Sequence, residues 1–344
     1  MKRILLINPW IEDVSAYDYW LKPLGLLYIS SALKHLGIEP VVIDCLDRYD
    51  LELVSFGAGQ GDRHFGTGKF LEEEIAKPRS ISSIPRKFKR FGFPEGILRK
   101  KLRESGSVDG VFVTSMMTYW HYGVSDTIRV IREEKPGIPV LLGGVYATLL
   151  PDHARQYSGA DFVCPGTGMK PLEKALAYLG IDSTLQIDWF EDLDPDYSVY
   201  DSLRYAVVIT SLGCPFRCTY CASNSLWKGF HSRDSVKTAD YIQFLVEKKY
   251  LSDLVFFDDA ILVGNGFKEL MREIDNRRIR ARFHLPNGVH ARFLDMETAG
   301  LMFENNFKTI KIGLETVDPT LQNTTGGKVS SRDFYQAIQN LYEA

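Results

Sequence analysis

Ala206-Val207-Val208-Ile209-Thr210 runs through Ser211-Leu212 into Gly213-Cys214-Pro215-Phe216-Arg217-Cys218-Thr219-Tyr220-Cys221. An apolar strand thus delivers a loop with three cysteines, separated by three and then two residues. Iron–sulfur clusters take thiolate ligands, and a complete four-iron set needs four of them. Three thiolates on one loop can wrap one corner of a cubane and leave one iron open to a small molecule. Cys214, Cys218 and Cys221 are therefore the candidate metal ligands. Structural zinc is the competing reading; it asks for four closed ligands with paired spacing, and His231 is the available recruit. Cys45 and Cys164 stand alone and read as small buried hydrophobes. Five cysteines, few and odd in number, do not make a secreted disulfide framework.

Outward from this loop the chain alternates strands and helices. Tyr205–Thr210, a helix over Thr238–Tyr250, Asp253–Phe257, a helix from Phe267, Arg280–Leu285, a helix over Met296–Glu304, Thr309–Ile312 and a last helix from Ser331 make four βα units. They predict part of a barrel of parallel strands. Upstream, short apolar runs at Arg3–Ile7, Pro40–Ile43, Gly110–Thr114, Pro139–Leu142 and Asp161–Cys164 alternate with amphipathic stretches. That pattern predicts a doubly wound α/β parallel sheet covered on both faces. Ligands bind such sheets beyond the carboxyl ends of the strands. Here those ends are Asn8-Pro9, Asp44, Thr114-Ser115-Met116, Gly143-Gly144 and Pro165-Gly166. The expected organisation is an α/β domain over 1–181 with an insertion at about 51–108, an acidic linker over 182–204, and a part-barrel over 205–344.

The insertion holds Phe65-Gly66-Thr67-Gly68-Lys69-Phe70 and the basic run Arg86-Lys87-Phe88-Lys89-Arg90, with Arg99-Lys100-Lys101 beyond it. A phosphate loop needs Ser or Thr after its lysine and a strand before it, and this segment has neither. The basic run is expected to be a solvated helical face; a groove for an anionic substrate or redox partner is the sharper alternative. The net charge of −3 offers no global field for nucleic acid. No apolar run of about 18 residues implies a membrane span. The start, Met1-Lys2-Arg3 before Ile4–Ile7, is too short for a signal peptide, so the chain is expected in the cytoplasm.

The cysteine segment, with aromatic Tyr220 before its last cysteine, resembles the CxxxCxxC signature of the radical S-adenosylmethionine (SAM) superfamily. The resemblance implies a [4Fe–4S] cluster whose open iron chelates SAM. One electron then breaks a sulfur–carbon bond, giving methionine and a 5′-deoxyadenosyl radical. It also implies SAM contacts at Tyr220, at Asp258 and Asp259 after the second barrel strand, at Asn287 and Arg292 in Pro286–Arg292, and at Glu315 in Lys311–Thr316. A helix N-cap is the plainer role for the two aspartates, and a surface carboxylate for Glu315. The resemblance covers four of the family's six barrel units, so the two strands that usually close the substrate side are missing.

The first half resembles the cobalamin-binding domain found before many such barrels, through Pro23–Ile29 and Gly143–Thr148. By that resemblance Asn8, Pro9, Thr114, Ser115, Gly143 and Gly144 line the cofactor. The DxHxxG pattern that supplies an axial histidine in cobalamin mutases is absent, and Gly166-Thr167-Gly168-Met169 stands where relatives read Gly-Glu-Gly-Glu. A domain that keeps the fold without the ligand is the alternative. Together the resemblances imply a cobalamin-dependent methyltransferase acting on an unactivated carbon of a small-molecule or peptide substrate. Its reducing partner would be a flavodoxin or ferredoxin. Cyclisation or rearrangement on the same scaffold is the runner-up. A non-catalytic cobalamin or redox sensor is the reading from another class.

Overall fold

Ile4, Leu5, Leu6 and Ile7 are wholly buried, as a strand covered on both faces must be. The computed structural model describes residues 1–55, 62–183 and 186–344. They fall into two units, Met1–Ser202 and Leu203–Ala344. The strands of the first are β1 (Arg3–Asn8), β2 (Ile11–Asp13), β3 (Glu39–Asp44), β4 (Glu72–Glu74), β5 (Lys89–Phe91), β6 (Gly110–Val113), β7 (Val140–Leu142) and β8 (Phe162–Val163). A five-stranded sheet runs in the order β3-β1-β6-β7-β8, and each of its neighbouring pairs is parallel. This is the expected doubly wound sheet. Strand order reverses between β1 and β6, which makes their carboxyl ends the topological switch point.

The insertion builds a second, antiparallel sheet, β2-β5-β4. Because β2 follows β1 directly, this sheet starts from the carboxyl edge of the main one. Here the basic run departs from expectation: Lys89–Phe91 is a strand, and the helix begins only at Glu95. Its charges are also paired. Lys87 meets Glu74, Lys89 meets Glu72, Arg99 meets Glu95, Glu133 and Glu134, and Lys101 meets Asp50. Buried Arg90 bonds Glu12 at 2.9 Å and Asp126 at 2.8 Å. An anion groove needs unspent positive charge, and these partners have consumed most of it. The glycine-lysine segment is no phosphate cradle either. The Gly66 carbonyl accepts from Arg48, Gly68 bridges to Asp18, and Phe70 is core.

Residues 56–61 of the insertion and 184–185 of the acidic stretch lie outside the described residues. The rest of that stretch packs on the first unit. Ser30 donates to Asp196, Lys34 pairs with Asp196, and buried Tyr200 donates to Asp44 at 2.7 Å.

The second unit has β9 (Ala206–Val208), β10 (Ser211–Gly213), β11 (Phe230–Ser232), β12 (Asp253–Phe256), β13 (Arg282–His290) and β14 (Phe307–Gly313). Strands β9, β12, β13 and β14 pair in sequence order and in parallel, the expected part-barrel. Its helices start on strong local signals. Asp234 and Asp295 cap Ser235–Lys248 and Met296–Glu304 by accepting backbone N–H bonds. Ser330 and Asp333 form a capping box on Ser331–Glu343. No helix among the described residues is long and apolar enough to cross a membrane.

Candidate functional site

The cysteine loop hangs between β10 and β11, a short antiparallel ribbon in which Gly213 pairs with Phe230. Gly213 has φ +75, and a Cβ there would lie 2.1 Å from the Gly229 carbonyl oxygen, so only glycine lets the chain turn into Cys214. Cys214 and Cys218 are buried and Cys221 is exposed. Burial pushes the Cys214 thiol up, and the negative neighbours Asp259, Cys218 and Cys221 add to this.

Backbone N–H groups and one imidazole nitrogen lie against the sulfurs. The Ser223 amide points at Cys221 Sγ from 3.4 Å, the Phe216 backbone bonds the Cys214 sulfur, and His290 Nε2 lies 3.9 Å from Cys214 Sγ. The Thr325–Lys328 turn seals the far side. Thr219 N–H donates to Thr325 O, and Gly326 packs on Cys218 so tightly that a Cβ would sit 2.8 Å from Cys218 Cα. Among the described residues no three His, Cys, Asp or Glu groups are gathered closely enough for one metal ion. A cubane spreads its thiolates around a larger body, and donors aimed at sulfur suit it.

The other candidates divide. Asp259 is exposed, and Ser223 Oγ donates to it at 2.6 Å. Glu315 adopts φ +65, a left-handed conformation that costs a non-glycine residue strain, and meets Lys328 at 2.6 Å. Tyr220 lines the same crevice as Glu315, Thr316, Gln322 and Lys328. Burial and a hydrogen bond to Cys218 push its hydroxyl well above the usual tyrosine range. Asn287 donates to the Phe257 carbonyl, and Arg292 to the Gly327 carbonyl.

Asp258 does not belong with them. It is buried, and one oxygen accepts from Thr210 N, Thr210 Oγ1 and Ser211 Oγ at 2.9, 2.9 and 2.7 Å. Burial raises its pKa to about 6. Its carboxylate ties the chain just after β12 to Thr210 and Ser211, at the start of β10. It is not an N-cap, since the next helix begins at Gly266.

Sequence reasoning missed Ser223 and Lys328 and gave His290 no separate role. The Gly326-Gly327-Lys328 run was the available signal. His290 is buried beside the Phe216 ring, with centroids 5.0 Å apart. Burial, with Lys328 and Arg292 nearby, lowers its pKa to about 4.

In the first unit, the residues expected at the carboxyl ends do meet. Thr114 N bonds Ile7 O, Gly143 N bonds Val113 O, and Val145 N bonds Ser115 O. The side chains, however, face inward: Asn8 donates to Asp44 at 2.6 Å and Ser115 to Gly143 O at 2.6 Å, while Pro9 is buried. Asn8 and Ser115 therefore shape the loops. The helices after β6 and β7 add an unforeseen group, with His121 4.9 Å from His153 between ring centroids and the Tyr146 hydroxyl 2.7 Å from His153 Nδ1.

Residues 208–344 match the family model of the Radical SAM superfamily. The second unit is a radical SAM domain. Over the whole chain, the fold is shared with the solved radical S-adenosylmethionine methyltransferase TsrM from Kitasatospora setae, bound to tryptophan and a SAM analog. The TM-score is 0.70 at 17% identity, covering 100% of this chain and 66% of that one. The anaerobic magnesium-protoporphyrin IX monomethyl ester cyclase of Cereibacter sphaeroides is 25% identical over 58% of this chain and 38% of its own length. The hopanoid C-2 methylase of Rhodopseudomonas palustris is 28% identical over 62% of this chain and 42% of its own. The chain thus spans less than half the length of these two relatives.

Proposed function

We propose that the chain is the cobalamin- and SAM-binding part of a radical enzyme that methylates an unactivated carbon of a small molecule. One observation carries the reading: a three-cysteine loop with backbone N–H groups directed at its sulfurs, on a parallel part-barrel, in a chain that also holds a doubly wound sheet. Cys214, Cys218 and Cys221 would hold the cluster. When bound, the cluster supplies one electron for reductive cleavage of SAM to the 5′-deoxyadenosyl radical, and cobalamin supplies the methyl group. Asp259 and Glu315 would accept hydrogen bonds from SAM's ammonium or ribose hydroxyls. Lys328, already beside Glu315, would neutralise that carboxylate or meet SAM's own. Tyr220, Asn287 and Arg292 would confine the same ligand, with Arg292 also fixing the Gly327 turn. Buried Asp258 would serve only to hold the loop's root. In the first unit the backbone at Pro9, Thr114, Gly143 and Gly144 would approach cobalamin, with Asn8 and Ser115 shaping those loops. A flavodoxin or ferredoxin in the cytoplasm would deliver the electron. The similarity to a cyclase supports ring closure or rearrangement as the second reading.

The test is anaerobic reconstitution followed by SAM and a strong reductant. About four irons per chain and release of 5′-deoxyadenosine are expected, and Cys218→Ala should abolish both. Stoichiometric tightly bound zinc would overturn the reading, and an intact cluster that yields no 5′-deoxyadenosine would make the protein a sensor. Hydroxocobalamin should bind the full chain with no protein nitrogen coupled to the reduced cobalt in spin resonance. Failure to bind would remove the support for methyl transfer.

A further inference from the structure

We propose that His290 is a positioning residue for the cluster: it directs an Nε2–H at the Cys214 thiolate and thereby raises the cluster's reduction potential. The inference rests on the reading that the cysteines hold an iron–sulfur cluster. His290 closes β13, and the fold carries it across 76 residues to the first cysteine of the loop. It is 3% exposed. Its Nδ1 is buried with no hydrogen-bond partner among the described residues, and its Nε2 is the nitrogen that faces sulfur at 3.9 Å. That asymmetry settles where the proton goes. A neutral imidazole with its proton on Nδ1 would bury an unsatisfied donor, whereas on Nε2 the proton meets an acceptor. An imidazolium carries a proton on both nitrogens, so either charge state presents Nε2–H to Cys214. The Phe216 ring stands edge-on to the imidazole at 82° and limits its rotation.

The consequence follows from charge. Reduction adds one electron to the cluster and its thiolates, with no bond made or broken and no proton moved. A donor at a thiolate stabilises the more negative state, and hydrogen bonds to the sulfurs are among the factors that set such potentials. A histidine that merely fills space beside Phe216 would leave the potential where it was.

The experiment is a redox titration of reconstituted full-length protein, read by the reduced cluster's spin-resonance signal, with iron content measured on each sample. His290→Phe keeps an aromatic ring against Phe216 and removes the donor. It should lower the reduced-to-oxidised ratio at fixed potential about tenfold, equivalent to about 59 mV for one electron. His290→Gln, which can still present an N–H, should recover most of that shift. A fully loaded Phe variant that titrates like the wild type would overturn the proposal. If the Phe variant assembles too little cluster to titrate, wild-type protein labelled with ¹⁵N-histidine decides instead. Coupling of the cluster spin to one imidazole nitrogen supports the contact, and absence of coupling overturns it. Failure of the cluster reading itself would look different: wild-type protein would lack four irons.

Discussion

Asp258→Asn replaces a buried carboxylate by a neutral group of nearly the same shape. Its folded pKa of about 6, against an ordinary 3.8, comes first from burial, which three hydrogen bonds from Thr210 and Ser211 only partly offset. A raised acid pKa means that the group's stabilising contribution is complete below the unfolded value. It is lost as pH rises through the folded one. Roughly two units at about 1.4 kcal/mol each make the ionised form cost about 3 kcal/mol once pH is well above 6. At pH 5 only about half of that cost has developed. Asparagine keeps the accepting oxygen but puts an amide where Asp258 Oδ2 has no partner among the described residues, a pH-independent penalty of about 1–3 kcal/mol. The stability of Asp258→Asn relative to wild type should therefore rise by about 1.4 kcal/mol between pH 5 and pH 8. Urea unfolding of the iron-free proteins at both pH values measures this, and the other titrating groups cancel in the difference. A gap that is equal at the two pH values would refute the burial argument.

Gly326→Ala should cut the iron retained after reconstitution severalfold, since its Cβ would strike Cys218 backbone; Gly327→Ala, with open space around it and only the strain of a left-handed φ of +59 to bear, should lose far less. Asp259→Asn and Glu315→Gln should each weaken SAM binding roughly ten- to hundredfold, because a charge-assisted hydrogen bond is worth about 1.5–3 kcal/mol. Titration of the reduced cluster's spin-resonance signal checks this, and unchanged affinity in both variants would remove them from the site. In the first unit, Arg90→Met should destabilise by roughly 1.5–3 kcal/mol by removing its charge-assisted hydrogen bonds to Glu12 and Asp126, with Glu12 left protonated. Glu12 already has its pKa raised to about 7 by burial and Asp126, so Glu12→Gln should be far milder; thermal unfolding compares the two.

What the amino-acid order determined alone was whatever depends on neighbours in the chain. The runs Ile4–Ile7 and Ala206–Val208 had to be buried parallel strands, because nothing in them tolerates water on either face. The spacing of Cys214, Cys218 and Cys221 confines three thiolates to one loop whatever lies around them. Asp234, Asp295 and Ser330 begin helices through bonds to residues three positions on. Tertiary structure alone decided which charges were spent and which remained. Arg90 looked like part of a solvated run until Glu12 and Asp126, 78 and 36 residues away, enclosed it. Asp258 and Asp259 are adjacent and chemically identical, yet the pleat of a strand end sends one beneath the loop and the other to its surface. His290 meets Cys214 only because β13 ends where the cysteine loop turns. A hydrogen bond acts over about 3 Å, and sequence carries no distance between residues that only a packed core brings together.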